Sequence, residues 1–384
     1  MDPLGQSQVL PYVRGLSERG HQFELLSFEK PGTPLCFRKN LAPNIRWTTL
    51  RYHRSPSVLA TMFDMWLGLK VGSLLCLMGR VNRIHVRSYV PCAMMLLWAK
   101  ISRTPLLFDT RGLWADEKVD SGSWSSGGWL YRLIKKLERQ LFKHADAITV
   151  LTHSLKNYLL KEYAYRNEIK APISVISTCT DLKRFSLPPF GKRGRGGILI
   201  YVGSLGGCYM TQEMLKFYAA WRRVAAKPRF LLVTKSPIHE FREALISMGA
   251  EQELIHRSVD NSEVPDLIRS AQAGICLIRP SFSKRGSAPT KLGELLACGV
   301  PVVANIVGDM ARVLEGSLAG IVLSDFSDDS LERAAKKLFE CSKNQGVCQE
   351  ARVLAEKHFD LEKAIDAYHE IYQRRKLTTR EAAD

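Results

Sequence analysis

Short apolar runs alternate with longer amphipathic segments along the chain, and this alternation is typical of parallel sheets covered by helices. A helix is predicted over residues 7–18. Strands are predicted over residues 23–28, 106–109, 147–151, 198–202, 230–234, 253–256, 274–278, 300–304 and 320–323. The pattern therefore predicts an α/β protein built from doubly wound parallel sheets.

A break in this alternation divides the chain. Residues 188–197 are rich in proline, glycine and basic residues, which is typical of a solvated linker. A strand, a glycine-rich turn over 203–207 and a helical pattern then follow. We predict an N-terminal domain over residues 1–187 and a second domain over residues 198–357. Ligands of such domains bind at the carboxyl ends of the strands.

The most apolar window covers residues 58–78 and is interrupted by Asp64, Lys70 and two glycines. A membrane-spanning helix needs about 20 nearly uncharged residues. We therefore predict a largely buried helix here and a chain that does not cross a membrane. The N-terminus lacks the basic and apolar regions of a signal peptide.

Net charge and cysteine content narrow the choice of partners and compartment. A net charge of +17 indicates an anionic partner, such as a phosphorylated small molecule or an anionic membrane surface. Basic and aromatic residues do not interleave as in a nucleic-acid-binding module, so no nucleic acid is expected. The nine cysteines show no metal-binding or redox spacing, which favours a reducing cytoplasm.

Residues 287–304 predict a helix followed by a buried strand. Ser287 and Pro289 form a helix-opening pair, with Ser287 as the capping hydroxyl. Gly299 marks the end of the helix, and residues 300–304 read as a short strand of a parallel sheet. An ordinary α/β crossover explains the same spacing.

This segment also offers the groups that a nucleotide requires. Thr290 and Lys291 lie at the predicted helix start, where free amides, the helix dipole and an ammonium attract an anion. Glu294 lies on the same helix face, where its carboxylate would accept hydrogen bonds from a ribose diol. Gly203 and Ser204 would let backbone amides approach a pyrophosphate from the other side.

Two predicted strand ends in the N-terminal domain carry further polar groups. Asp109, Arg111 and Asp116 follow one strand, whereas His85 and Arg87 lie at the end of another. We predict that Arg87 and Arg111 contact the sugar or the acceptor, and that Asp109 is a polar positioning group of the catalytic site. An Arg–Asp ion pair that only holds the loop explains these residues equally well.

Three separated stretches resemble the retaining glycosyltransferases of family four, which have the GT-B fold. Residues 3–9 and 16–21 resemble the glycine loop and first helix of that family, which makes Gly5 a donor-binding residue. Residues 178–185 resemble the segment before the interdomain linker. Residues 289–303 carry the most specific match.

The resemblance implies two Rossmann-like domains that face a cleft, with a helix over residues 358–376 returning to the N-terminal domain. It also implies sugar transfer from a nucleoside-diphosphate sugar with retention of configuration, by front-face attack. No metal or other cofactor is expected. The nucleoside base would rest on the loop that contains Arg257 and Val259.

The chain departs from the family pattern at three places. Gly286 stands where the family has the first of two glutamates, the second being Glu294. Residues 203–208 lack the family's basic pair, and the first parallel strand that should precede Gly5 is missing. The residues predicted to neutralise the pyrophosphate instead are Lys235, Arg279, Lys284, Arg285 and Lys291.

The segment from Trp124 to Lys143 predicts a helix with a leucine-rich face and many basic residues. Residues 129–143 fit an interfacial helix on an anionic membrane surface, which would suit a lipid-linked or polysaccharide acceptor. They fit an ordinary surface helix of a basic protein equally well. The expected location is the cytoplasm, including the inner face of a membrane.

Other functions share parts of this pattern. A nucleotide-sugar epimerase would bind the same donor, with Asp109, Asp116 and His85 as the available acids and bases. A catalytically degenerate scaffold would explain Gly286. A nicotinamide dehydrogenase is disfavoured because residues 203–208 lack the full dinucleotide-binding spacing.

Overall fold

The computed structural model describes residues 3–30, 41–53, 55, 57–79, 81–164, 169–188, 196–344 and 346–374. The chain forms two compact units. Unit 1 comprises Met1–Ile176 and Leu361–Asp384, and unit 2 comprises Ser177–Asp360. The boundary between them precedes the predicted linker, of which residues 189–195 lie outside the described part of the chain.

Twelve strands are present in the described residues. In chain order they are β1 (Phe23–Glu29), β2 (Ile45–Arg51), β3 (Ile84–Arg87), β4 (Leu106–Asp109), β5 (Ala147–Val150), β6 (Ile173–Val175), β7 (Ile198–Val202), β8 (Arg229–Val233), β9 (Leu254–Arg257), β10 (Ala273–Cys276), β11 (Val302–Asn305) and β12 (Gly320–Leu323).

Fifteen α-helices are present in the same described ranges. They are α1 (Pro3–Gln8), α2 (Leu10–Glu18), α3 (Ser57–Gly79), α4 (Tyr89–Ser102), α5 (Trp114–Asp120), α6 (Trp129–His144), α7 (His153–Leu159), α8 (Thr211–Val224), α9 (His239–Ser247), α10 (Val264–Arg269), α11 (Thr290–Ala297), α12 (Met310–Leu314), α13 (Asp328–Lys343), α14 (Gly346–His358) and α15 (Leu361–Gln373).

Unit 2 is built on one parallel sheet with the strand order β12-β11-β10-β7-β8-β9. Its inner strands β7, β10 and β11 are almost entirely apolar and buried, as expected for strands covered by helices on both faces. The chain winds outward from β7 in one direction and from β10 in the other. This strand order creates a topological switch point between β7 and β10, where open α/β sheets bind their ligands.

Unit 1 contains a four-stranded parallel sheet, β3-β4-β5-β6, and a separate parallel pair, β1-β2. Helix α15 follows unit 2 in the chain but packs on α2 of unit 1, where the rings of Tyr12 and Tyr368 lie 5.8 Å apart. Arg19 on the same side pairs with Glu362 and Asp366. The parallel, helix-covered sheets of both units confirm the predicted α/β fold class.

The predicted first helix and glycine loop need correction. The chain forms two helices, α1 and α2, which are separated at Val9. Gly5 is buried within α1 and does not lie in a loop. Pro3 opens α1, a position that suits its fixed backbone angle and missing amide proton.

Residues 58–78 form a helix as predicted, but the prediction that this helix is largely buried is wrong. Helix α3 is present, but only 17% of its most apolar window is buried. The residues that it buries include Ala60, Asp64, Gly68 and Gly72, whereas many of its large apolar side chains are exposed, among them Leu59, Trp66 and Leu77. Within the described residues, Leu59–Gly79 is the one segment long and apolar enough to cross a membrane.

Candidate active site

The glycine-rich loop after β7 is hydrogen-bonded to the residues that follow β10. Tyr209 forms an antiparallel bridge with Ile278, and the Arg279 amide donates a 2.7 Å hydrogen bond to the Cys208 carbonyl. The buried side chain of Asn305, at the end of β11, makes two hydrogen bonds to the backbone of Ile278. Its oxygen accepts from the Ile278 amide at 3.0 Å, and its nitrogen donates to the Ile278 carbonyl at 2.8 Å. The switch point of unit 2 is therefore a fixed structure.

Lys291 lies at this switch point in a pocket of two tyrosines. Its Nζ donates a 2.9 Å hydrogen bond to the Tyr201 hydroxyl and lies 4.2 Å and 3.7 Å from the ring centres of Tyr201 and Tyr209. The side chain is only 6% exposed. Burial lowers the pKa of Lys291 to about 8, because desolvation penalises the ammonium.

Gly203 makes room for this ammonium. Its φ is +128°, and a Cβ at this position would lie 2.8 Å from Lys291 Nζ. Only glycine accommodates both the backbone angle and the close neighbour. The Gly203 amide donates to the Val233 carbonyl at 3.0 Å. The expectation that this amide would approach a pyrophosphate is therefore wrong, because the sheet already uses it.

Glu294 lies almost one helical turn after Lys291 on α11. Burial raises the pKa of its carboxyl group, and the charges of Arg184 and Lys291 oppose this effect. Thr290 is the first residue of α11 and is half-buried. The structure thus places Thr290, Lys291 and Glu294 along one short helix, as the sequence predicted.

Ser287 does not cap this helix. Helix α11 begins at Thr290 with Pro289 at the N-cap position, and this N-cap residue makes no side-chain hydrogen bond to the helix amides. The Ser287 amide instead closes the short 3₁₀ helix Ser283–Gly286 by donating to the Lys284 carbonyl. Pro289 has an extended backbone, which places Ser287 two residues before the position at which a cap could act.

The remaining predicted donor-binding residues of unit 2 lie along the same carboxyl edge of the sheet. Lys235 follows β8 and forms an exposed ion pair with Asp260 at 3.3 Å. Arg257 ends the adjacent strand β9 with an exposed side chain, and Val259 beyond it is half-buried against the core. Arg279 follows β10.

Four of the predicted residues stand apart from this set. Ser204 is exposed, and its carbonyl accepts a hydrogen bond from the Tyr201 hydroxyl. Lys284 and Arg285 belong to the 3₁₀ helix, where the Arg285 guanidinium lies 3.9 Å from the centre of the Phe282 ring. Gly5 belongs to unit 1.

Unit 1 brings its predicted catalytic residues together at the ends of β3 and β4. These strands pair in register with Arg87 opposite Asp109. Asp109 is buried, accepts a 3.2 Å hydrogen bond from Thr149 and lies 3.8 Å from the Arg111 guanidinium. Arg87 donates to the Gln8 carbonyl. The cluster contains two guanidinium groups and one buried carboxylate.

Backbone strain marks the same two strand ends. Ser88 follows β3 with φ of +76°, and Arg111 follows β4 with φ of +58°. Ser88 has ψ of +172°, a conformation that is otherwise confined almost entirely to glycine. Strain of this kind costs about 1–3 kcal/mol per residue and clusters at ligand sites. The strained positions therefore support a functional role for this loop pair.

His85 contacts the C-terminal helix of unit 1. Its Nδ1 lies 2.6 Å from the Tyr372 hydroxyl, and its ring lies 5.3 Å from the ring of Tyr368. Asp116, the other candidate acid, is buried and accepts hydrogen bonds from Tyr131 and Lys135. Both residues have structural partners, which weakens the epimerase interpretation that needs them as acids or bases.

Several site residues escaped the sequence prediction. Tyr201 reads only as part of an apolar strand, and Tyr209 as part of a turn, so nothing in the pattern associates them with Lys291. Asn305 directly follows the predicted strand 300–304, and a polar residue at the end of a buried strand was the signal that could have identified it. Ser88 gave no signal, because backbone strain is invisible in a sequence.

The predicted helix near residue 130 is confirmed as α6, but one of the basic residues expected on its surface is not exposed. Lys135 is not a surface charge, since it forms ion pairs with Asp116 at 3.0 Å and with the buried Glu138. Arg132, Lys136, Arg139 and Lys143 are exposed. No group of three or more metal-binding side chains occurs among the described residues.

Comparisons with known families agree with this architecture. Residues 6–184 match the model described as Glycosyltransferase Family 4, and residues 196–341 match the model described as Glycosyl transferases group 1. No curated protein matches the sequence significantly.

Solved structures with the same fold cover nearly the whole chain. A sucrose-phosphate synthase from Thermosynechococcus elongatus is 16% identical, with a TM-score of 0.70 over 94% of this chain and 91% of its own. WaaG, a glycosyltransferase involved in lipopolysaccharide biosynthesis, is 15% identical, with a TM-score of 0.66 over 98% and 97%.

HepE of Anabaena, solved in complex with UDP-glucose, is 12% identical, with a TM-score of 0.63 over 91% of this chain and 98% of its own. At these identities the structures establish the fold, and the two family models add the class of enzyme. The chain is a glycosyltransferase of group 1 with the GT-B fold, an enzyme class that uses nucleotide sugars.

Proposed function

We propose that this enzyme moves a sugar from a nucleoside-diphosphate sugar to a lipid-linked or glycan acceptor, with retention of configuration and without a metal ion. One observation carries the donor assignment. Lys291 is a buried ammonium at the switch point of unit 2, held beside Gly203, with Glu294 almost one turn further along the same helix. A protein tolerates such a desolvated charge where an anionic ligand compensates for it.

In the proposed donor complex, Lys291 and the N-terminus of α11 bind the pyrophosphate, and Glu294 accepts hydrogen bonds from the ribose diol. Arg279 and Lys235 lie along the same edge and add positive charge. Arg257 and Val259 border the nucleoside base. Preorganised positive charge stabilises the departing diphosphate, which is the main task in this reaction.

The proposed chemistry follows from the family resemblance. An acceptor hydroxyl attacks the anomeric carbon from the face of the leaving group, and the bond between that carbon and the phosphate oxygen breaks. The electron pair of the broken bond stays on the diphosphate, whose oxygen takes the acceptor proton. Arg87 and Arg111 contact the sugar or the acceptor, and Asp109 fixes Arg111 through their ion pair.

The acceptor and location are proposed from charge and from similar proteins. WaaG acts in lipopolysaccharide biosynthesis, and HepE binds UDP-glucose. The net charge of +17 and the four exposed basic residues of α6 suit a cytoplasmic enzyme whose residues 129–143 touch an anionic membrane surface.

The test is a transfer assay with UDP-, GDP- and ADP-sugars and lipid or glycan acceptors, with release of nucleoside diphosphate as the readout. Glu294→Gln is expected to raise the donor KM at least tenfold, because one acceptor for the diol is lost. Glu315→Gln, an exposed matched control, should leave it unchanged. NMR of the new anomeric proton tests retention, and turnover in EDTA tests metal independence.

A donor-binding scaffold is the second candidate, because Gly286 replaces a family glutamate. It would bind a nucleoside diphosphate at Lys291 but release none from a donor with any acceptor. An epimerase would convert the donor without an acceptor, and this outcome would contradict the transferase proposal.

A further inference from the structure

The fully buried residues of helix α3 are small or polar, namely Ala60, Asp64, Gly68 and Gly72, whereas many of its large apolar residues are exposed. A Cβ at Gly68 would overlap Met94 of α4, and one at Gly72 would lie 2.8 Å from the Met95 sulfur. Asp64 is buried and accepts hydrogen bonds from the backbone and the ring of His53, at 2.9 Å and 2.6 Å. The helix is therefore held tightly on unit 1 by its small and polar side.

The outward side of α3 forms a continuous apolar stripe. Its residues recur every three or four positions, and all but one are apolar. The apolar side chains are 52–66% exposed, and one lysine interrupts them near the middle. The stripe consists of Leu59, Met62, Trp66, Lys70, Leu74 and Leu77. At 1.5 Å per residue it is about 27 Å long. A helix in contact with water would show polar residues on this side.

Helix α4 extends the stripe into a broader surface. It packs beside α3 through Met94 and Met95, and its own outward residues Leu97 and Ile101 are 61% and 70% exposed. We call the combined outward residues of α3 and α4 the α3–α4 face. Contiguous apolar surfaces of this kind mark interaction sites.

The helices that form and flank this face carry exposed charges of one sign only. Helices α3, α4 and α6 contain two acidic residues, Asp64 and Glu138, and both are buried. The exposed charges of these three neighbouring helices are therefore all basic. They are Lys70, Lys100, Arg132, Lys136, Arg139 and Lys143.

From this combination we infer that the α3–α4 face docks unit 1 on an anionic lipid bilayer. An apolar stripe flanked by basic side chains matches the boundary between acyl chains and anionic headgroups. The helix lies flat on the surface, because its opposite side is packed on α4 and bonded through Asp64. Lys70, whose Nζ lies 5.2 Å from the Trp66 ring centre, reaches the headgroups with its long stem in the apolar layer.

Flotation with vesicles of phosphatidylcholine, alone or with phosphatidylglycerol, tests this inference. The parent protein should float with the mixed vesicles. The variant Trp66→Gln/Leu74→Gln/Leu77→Gln should lose at least tenfold in vesicle affinity, because these exposed side chains enter the acyl layer. A matched variant of unit 2, Ile246→Gln/Leu318→Gln/Val353→Gln, changes residues of similar exposure and should bind like the parent.

A second readout locates the contact. Brominated lipids should quench the tryptophan fluorescence of the parent more than that of Trp66→Phe, which keeps the apolar surface. Equal vesicle affinity of the α3 variant and the parent would overturn the inference. The inference would also be overturned if the parent protein did not bind vesicles but formed a dimer, and if the α3 variant did not form this dimer. The face would then bind a second copy of the chain.

This inference is independent of the donor site. The α3 variant should keep the full thermal stabilisation by nucleoside diphosphates, because its substitutions lie in unit 1. If the parent protein bound no nucleotide, the proposed function would be contradicted, but the membrane inference would not be affected.

Discussion

At the scale of single residues, Lys291 is the centre of the account. Its ammonium is enclosed by Tyr201 and Tyr209 and has a pKa lowered to about 8 by burial. The sequence predicted Lys291 as an anion-binding residue from its place near a helix start. It could not predict the tyrosine pocket, because Tyr201 lies 90 residues before Lys291 in the chain and Tyr209 lies nearly as far, so both meet Lys291 only through the sheet order.

The lowered pKa predicts a pH dependence of nucleotide binding. With this pKa, about half of the Lys291 side chains are charged at pH 8, so UDP affinity should fall about twofold between pH 7 and 8 and more steeply at higher pH, approaching tenfold per pH unit. Calorimetric titration between pH 7 and 9.5 measures this change. Lys291→Arg, which stays charged, should show weaker but pH-independent binding. If the UDP affinity of the parent protein did not change with pH, Lys291 would not contact the ligand as proposed.

Gly203 offers a test of the contact that shapes this pocket. Gly203→Ala should lower UDP affinity at least tenfold, because its Cβ would lie 2.8 Å from Lys291 Nζ in a backbone conformation that alanine resists. The matched control is Gly207→Ala, which has φ of +61° and nothing within 4 Å of the added Cβ. It should cost about 1 kcal/mol in folding and keep the affinity. Equal affinities for the two variants would contradict the proposed geometry.

At the scale of elements, the apolar pattern predicted most strands of unit 2 to within two residues. The runs at 198–202 and 320–323 coincide with β7 and β12. Buried strands of a parallel sheet are short continuous apolar runs, which explains this success. The pattern failed for α3, because composition alone does not tell which side of an apolar helix meets the protein. It also failed at the start of α11, where Ser287 closes the preceding 3₁₀ helix and does not cap α11.

Asn305 connects two of these elements, and its removal should be costly. Asn305→Ala would leave the buried amide and carbonyl of Ile278 without their side-chain partners, which should lower the free energy of unfolding by about 3 kcal/mol. Urea denaturation measures this loss. The exposed Asn261→Ala serves as the control and should stay within about 0.5 kcal/mol of the parent. A similarly small effect of Asn305→Ala would show that the strand ends are held by other contacts.

At the scale of the whole molecule, alternation of strands and helices was sufficient to predict two α/β domains, but not their details. The return of α15 to unit 1 came from family resemblance, because no periodicity within a helix tells which unit it packs against. The net charge of +17 predicted an anionic partner without saying where it binds. The structure shows two separate basic regions that fit this charge, the switch point of unit 2 and the exposed residues of α6.

The central claim is that unit 2 binds a nucleoside diphosphate through Lys291 and Glu294. Thermal unfolding with UDP, GDP, ADP and their sugar conjugates tests it most directly, alongside Lys291→Met and Glu294→Ala. One diphosphate family at about 100 times its dissociation constant should stabilise the parent by about 2.7 kcal/mol. Both variants should fold and lose this stabilisation. No stabilisation of the folded parent by any of these nucleotides, or full stabilisation of Lys291→Met, would contradict the account.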